Sequence, residues 1–310
     1  MTDAAATVLS VAAPVFALIL AGYVAAMRGW VDQAGFKGLT GFAFSFAAPA
    51  LLFAGGTAGY AGGGGAALAF FGGTAVLYGA TILLARRPLG LAGSGALALN
   101  VTFGNTVMMG IPLVAAAYGQ RGLAVLLAIL ALHSLVLLGT ATVVAEVARN
   151  PGARPAPLLR ATLGGVVRNP VVMAVLAALI WSFFGLPVPA PARATLELLG
   201  AAAPPVSLFC LGGSLHGFDA RGAAGRTAMT VVLKLGALPL LVWGFCRLLD
   251  LSPLETAVAV LTASLPTGAN AFLLARRYSS GADESGAAVL VSTALSVGTL
   301  SLVLALFRPV

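Results

Sequence analysis

The sequence predicts an all-α membrane protein, with ten transmembrane helices forming two inverted five-helix repeats and with the fourth and ninth helices interrupted and crossing. Three observations lead there. Of 310 residues, 60% are hydrophobic and only 8% are charged, against about 25% charged in a soluble domain. Apolar stretches close to the roughly 20 residues needed to span a bilayer recur along the whole chain. Two of them, at corresponding places in the two halves, carry Pro, Gly, Asn and Thr at their centres.

A chain this poor in charge cannot cover a water-facing surface, so its outer face meets lipid. Both cysteines, Cys210 and Cys246, lie in apolar segments, which argues against a disulfide framework or a Cys-based metal site. No metal or other cofactor is expected. The net charge of +8 does not mark a nucleic-acid binder, because the basic residues are scattered between apolar runs and no basic patch is interleaved with aromatics. The first residues, MTDAAATVLSVAAPVFALIL, have no basic leader and contain Asp3, so they read as the start of the first membrane helix and not as a secretory signal.

Spans are expected near 7–27, 36–56, 66–85, 95–118, 121–148, 168–185, 194–216, 224–249, 254–277 and 284–307. The longest polar interval, 149–168, divides a single membrane domain (1–310) into repeat one (1–150) and repeat two (165–310). The run Gly62–Gly65 reads as a short turn between the second and third spans. With both termini outside, the inner loops hold 12 of the 17 Lys and Arg, the outer segments hold 4, and Lys234 lies within a span. That bias follows the positive-inside rule.

The second span of each half carries the pattern P-x-x-L-F-x-x-G, from Pro49 to Gly56 and from Pro205 to Gly212. Five spans per half place the second half in the membrane upside down, a recurring plan for secondary transporters. The fourth span contains NVTFGNTVMMGIP, from Asn100 to Pro112, and the ninth contains TASLPTGAN, from Thr262 to Asn270. Pro removes a backbone hydrogen bond and Gly loosens the helix. In hydrocarbon the freed N–H and C=O groups are tolerated only where buried in protein or lining a wet cavity. Half-helix N-termini there suit an anion, and the Asn105 and Asn270 amides donate to a carboxylate without a buried charge. Thr106, Gly110, Pro112, Pro266, Thr267 and Gly268 complete the expected binding segments, with Asn100 and Ser264 as further candidates. The alternative is that these residues only kink helices and satisfy one another.

Other polar residues fall inside predicted spans. Lys234 either compensates the charge of an anion or caps carbonyls freed by a broken helix, unless it snorkels toward the interface. His133, with an ordinary pKa of about 6.5, either relays protons or sits neutral against a neighbouring carbonyl. Ser292 and Thr293 in the tenth span face the crossing or make helix-to-helix contacts. None of the nine carboxylates falls inside either interrupted motif. Coupling to Na+ or H+, or drive by membrane potential alone, therefore stays open.

The segments GNTVMMGIPLVAAAYG and LPTGANAFLLARRY, the Asn169-Pro170 opening of the sixth span, and AAPPVSLFCLGGSL together resemble a bacterial member of the auxin efflux carrier family. That family includes plant auxin exporters and bacterial carriers of malonate or malate, and is akin to the bile acid:sodium symporter fold. The resemblance covers essentially the whole chain. It implies a scaffold of spans 1, 2, 6 and 7, the site of a homodimer contact, and a moving unit of spans 3–5 and 8–10. It also implies that the fourth and ninth helices cross at Pro112 and Pro266, with a carboxylate held beside them by Asn105 and Asn270, and that alternating access is elevator-like. The long soluble loop of the plant exporters is missing here. The expected function is secondary transport of a small organic anion, with membrane lipid as the other partner. The rivals are an anion channel and a membrane-embedded enzyme. No phosphate-cradling motif is present, and the two histidines, His133 and His216, are far apart with no H-E-x-x-H pattern.

Overall fold

The computed structural model describes residues 2–58, 63–149, 169–217, 224–278 and 280–307. The dividing segment 150–168, the first residue of the Gly62–Gly65 run, Arg221 and Arg308 lie outside the described residues. Within them the architecture is all-α: helices in sequence, and one isolated antiparallel bridge.

Six helical stretches are long and apolar enough to cross a membrane: Gln33–Gly56, Gly64–Thr102, Thr106–Arg149, Ala190–Leu215, Ala224–Leu248 and Ala282–Leu306. Shorter apolar helices occupy Ala12–Met27, Pro170–Phe183 and Pro253–Ala263. Large apolar side chains stand outward along these helices, with Leu84 81% and Phe183 84% exposed. A water-facing helix hides such residues; a lipid-facing one has no reason to.

Two long helices are not single rods. Gly64–Thr102 bends at Gly90 (φ 68°, ψ 177°), two residues after Pro88, and Ile111–Arg149 bends at Gly119 (φ 59°, ψ −152°). Both glycines adopt positive φ, which an L side chain resists. The bends fall between predicted spans 3 and 4 and between spans 4 and 5.

The helix contacts fall into two groups, joined by packing of Ala282–Leu306 on Thr2–Met27 and of Ile111–Arg149 on Ala48–Gly56 and Ala203–Leu215. Thr2–Met27 lies along Ala203–Leu215, while Ala48–Gly56 packs on Pro170–Phe183 and Ala190–Gly200. In the other group Gly64–Thr102 packs on Ile111–Arg149 and Leu238–Leu248, and Pro253–Ala263 packs on all three. Ala282–Leu306 closes that group against Ala224–Val232 and Ala269–Arg277. In the first group the backbones touch: a Cβ at Gly212 would overlap the Ile19 carbonyl, and one at Gly22 would overlap that of Phe209. Small residues permit this close approach of helices in a membrane.

Candidate functional site

The site begins where two helices stop. Gly64–Thr102 ends at Thr102, and the chain runs extended through Phe103 before helix resumes at Thr106. Pro253–Ala263 ends at Ala263 and helix resumes at Ala269. The two breaks meet. Gly104 and Thr267 form the antiparallel bridge, Asn105 N donates to Pro266 O over 2.9 Å, and Gly268 N donates to Phe103 O over 3.0 Å. Groups stripped of intrahelical partners are thus satisfied by the opposite break, as hydrocarbon demands. Gly268 is required by proximity: a Cβ there would stand 2.8 Å from the Phe103 ring and 3.0 Å from Gly104 O.

Side chains add further bonds, although among the described residues Asn100 Oδ1 is buried without a partner. Thr267 Oγ1 donates to Asn100 O over 3.0 Å, Thr267 N donates to Ser292 Oγ over 3.0 Å, and Asn100 Nδ2 donates to Ser285 Oγ over 2.6 Å. Ser264 and Thr293 bond back to Val260 O and Val289 O on their own helices. These expected site residues hold the break together and do not line the cleft beside it. Gly110 packs against Leu265, where a Cβ would come within 2.7 Å of Leu265 Cδ1.

The crossing lies at Gly104 and Thr267, which puts Pro266 in it and Pro112 outside it. Pro112 is buried inside the continuous helical stretch Thr106–Arg149, directly after the π-helical turn Thr106–Gly110.

A cleft of about 60 Å³ opens at the crossing, roughly four water-sized volumes. Asn105, Thr106, Gly268, Asn270 and His133 line it, together with Phe44, Phe103, Met108 and Ser134. Asn270 is exposed and Asn105 is 6% exposed. Asn105 Nδ2 is buried and has no hydrogen-bond partner among the described residues. An unsatisfied buried amide is uncommon enough to require a cause.

The helix ends facing the cleft share this openness. Asp32, Asn169 and Ser252 each cap a helix elsewhere with a side-chain oxygen. At the crossing the N-cap residues are Asn105 and Gly268, and neither makes a side-chain cap bond. Two helix N-termini without a side-chain cap, each a positive dipole end, therefore line one cleft. Among the described residues no Asp or Glu lines it.

Lys234 sits behind the crossing, fully buried, and its Nζ donates to Ala263 O over 2.7 Å. A cation at the C-terminal end of a half-helix meets the negative dipole end. The same Nζ would be 3.6 Å from a Cβ on Gly104. His133, also buried, has Nε2 3.2 Å from Thr106 Oγ1 and its ring 4.7 Å from that of Phe103. Its partner is a hydroxyl of the cleft and not a neighbouring carbonyl.

Sequence reasoning missed Phe44, Met108 and Ser134. Three five-residue π-helical turns, Ala43–Ala47, Thr106–Gly110 and Leu233–Ala237, bring Phe44 and Met108 to the cleft and Lys234 behind it. Such turns concentrate at functional sites, but no residue pattern announces the one at Ala43. Ser134 was signalled only by its neighbour His133.

A family model for membrane transport proteins matches residues 7–147 and 141–304. A protein of Rhizobium meliloti (strain 1021) named "Putative malonate transporter" is 26% identical over 207 residues, 66% of this chain. The match spans 65% of that relative's length, just under two-thirds.

Proposed function

Because the chain belongs to the membrane transport protein family, the family of the auxin efflux carriers, we propose that it is a secondary carrier of small carboxylate anions working by an elevator-like mechanism. Membership makes it a multi-pass membrane transporter and not an enzyme. The observation that carries the anion reading is the unpartnered Asn105 amide, set beside Asn270 where two helix N-termini without a side-chain cap line one cleft. Donors abound there and carboxylates do not. The buried Lys234 amine stands behind Gly104. The relative's name, which refers to malonate, agrees with a short carboxylic acid.

Ten crossings account for the lengths. A straight helix of 39 residues such as Gly64–Thr102 would run about 58 Å, nearly twice a hydrocarbon core of about 30 Å. Division at Gly90 and Gly119 gives 64–89 and 120–149, each long enough for one crossing, while the short pieces 91–102 and 106–118, on either side of the break, together make another. The inverted repeat draws support from Pro49 and Pro205, which both sit in the first turn of a helix whose P-x-x-L-F-x-x-G glycine packs closely on a neighbour. We read the two groups of contacts as a scaffold of spans 1, 2, 6 and 7 and a transport unit of spans 3–5 and 8–10. Phe44, on the scaffold side, lines the cleft, so movement of the transport unit past it would expose the site alternately. The carrier would lie in a bacterial inner membrane with both termini outside, and would dimerise through the scaffold.

The test is uptake of labelled malonate, malate, succinate and acetate into proteoliposomes across a range of concentrations. A carrier saturates with at least one of them. A linear, channel-like flux, or no flux from folded protein, overturns the reading.

A further inference from the structure

The cleft has a second set of polar groups, supplied by another helix. Asn105 and Asn270 come from the crossing, whereas His133 and Ser134 come from Ile111–Arg149. The imidazole is 2% exposed and sits between the rings of Phe103 and Phe70, with centroids at 4.7 and 5.8 Å. Its Nε2 meets Thr106 Oγ1 at 3.2 Å, and the ring lines the cleft.

The Thr106 hydroxyl has one proton. It points either to Gly104 O, 3.3 Å away, or to Nε2. When it donates to Nε2, the neutral ring carries its proton on Nδ1. When the ring is protonated, Nε2–H donates to Oγ1 and Nδ1 again carries a proton. Both of these arrangements leave a donor on Nδ1, and an anionic oxygen would select them over the neutral ring with its proton on Nε2; among the described residues no acid lines the cleft to repel a second negative charge. Phe44 and Met108 offer an apolar flank for the carbon between two polar ends.

We propose that His133, held by Thr106, receives the second carboxylate of a short dicarboxylate whose first carboxylate is bound by Asn105 and Asn270. The inference rests on the reading of this cleft as the anion site. His133 is then the residue that separates dicarboxylates from monocarboxylates, and a cleft of about 60 Å³ restricts them to short ones.

Malonate and its half-amide, malonamate, differ in one carboxylate at nearly constant size, so they isolate the contact. Competition against labelled malonate uptake gives the affinity of each. Wild type is expected to prefer malonate about tenfold or more, the worth of a charged hydrogen bond. His133→Leu is expected to lose that preference through weaker malonate binding, with malonamate unchanged, and His133→Asn to restore part of it. Equal affinity of wild type for the two ligands overturns the inference even if no His133 variant folds. Asn105→Ala separates the two readings, because it should weaken both ligands alike. If it does, and His133→Leu keeps the malonate preference, only the role of His133 fails. If Asn105→Ala binds both ligands normally, the site itself is misassigned.

Discussion

The backbone N–H of Asn105 donates to the carbonyl of Pro266 over 2.9 Å, joining two helices at the point where each has lost its own ladder. The reciprocal bond from Gly268 N to Phe103 O makes the join two-sided. Each break supplies what the other lacks, so neither can be altered alone. An unsatisfied group at this depth would cost about 1–3 kcal/mol or more.

Gly268→Ala tests that dependence. The added Cβ would press on the Phe103 ring at 2.8 Å and on Gly104 O at 3.0 Å. The expected result is a loss of about 1–3 kcal/mol in stability, by analogy with overpacked cores, together with loss of uptake. Thermal unfolding in detergent and a transport assay on the same preparation check both.

Lys234→Met leaves the Ala263 carbonyl without its donor. Stability should fall by up to about 3 kcal/mol, offset in part by removal of a buried amine. Anion affinity should fall as well, since the nitrogen behind Gly104 is gone. Uptake kinetics on folded protein would show a higher KM; an unchanged KM would leave Lys234 a purely structural cap.

Ser252→Ala provides a contrast. Ser252 Oγ accepts from Glu255 N and donates to Glu255 Oε2, capping Pro253–Ala263 at the end remote from the crossing. Its loss should cost about 1 kcal/mol of stability and leave substrate affinity unaltered, as measured by unfolding and by competition uptake.

Gly212→Ala acts on the other packing group. A Cβ would run into the Ile19 carbonyl and Tyr23 N of the first helix. Separation of these two helices should lower the yield of monodisperse protein in size-exclusion chromatography, while leaving the residues of the cleft untouched.

Much of this was legible in the sequence because membranes punish irregularity. Pro, Gly, Asn and Thr in the middle of a span have no place in a plain helix, so NVTFGNTVMMGIP and TASLPTGAN announced the breaks. The position within the first motif was less legible. Pro112 suggests a break at itself, yet helix runs through it, with a π-helical turn just before it, and the actual interruption lies at Phe103 and Asn105. Polar residues near the breaks looked alike in sequence. Only the fold separates Thr267 and Ser292, which bond within the crossing, from Asn105 and His133, which line the cleft. Phe44 was invisible, because a π-helical turn brings it to the cleft and its segment reads as ordinary apolar helix.

The central claim is that the Asn105 and Asn270 amides hold a carboxylate at the crossing. Its most direct test is binding of malonate to purified wild type, Asn105→Ala and Asn270→Ala by isothermal titration, with monodispersity confirmed for each. Saturable binding to wild type that weakens at least tenfold in both variants, as loss of a charged hydrogen bond predicts at about 1.5–3 kcal/mol, is the expected result. Undiminished binding in both folded variants would contradict the account.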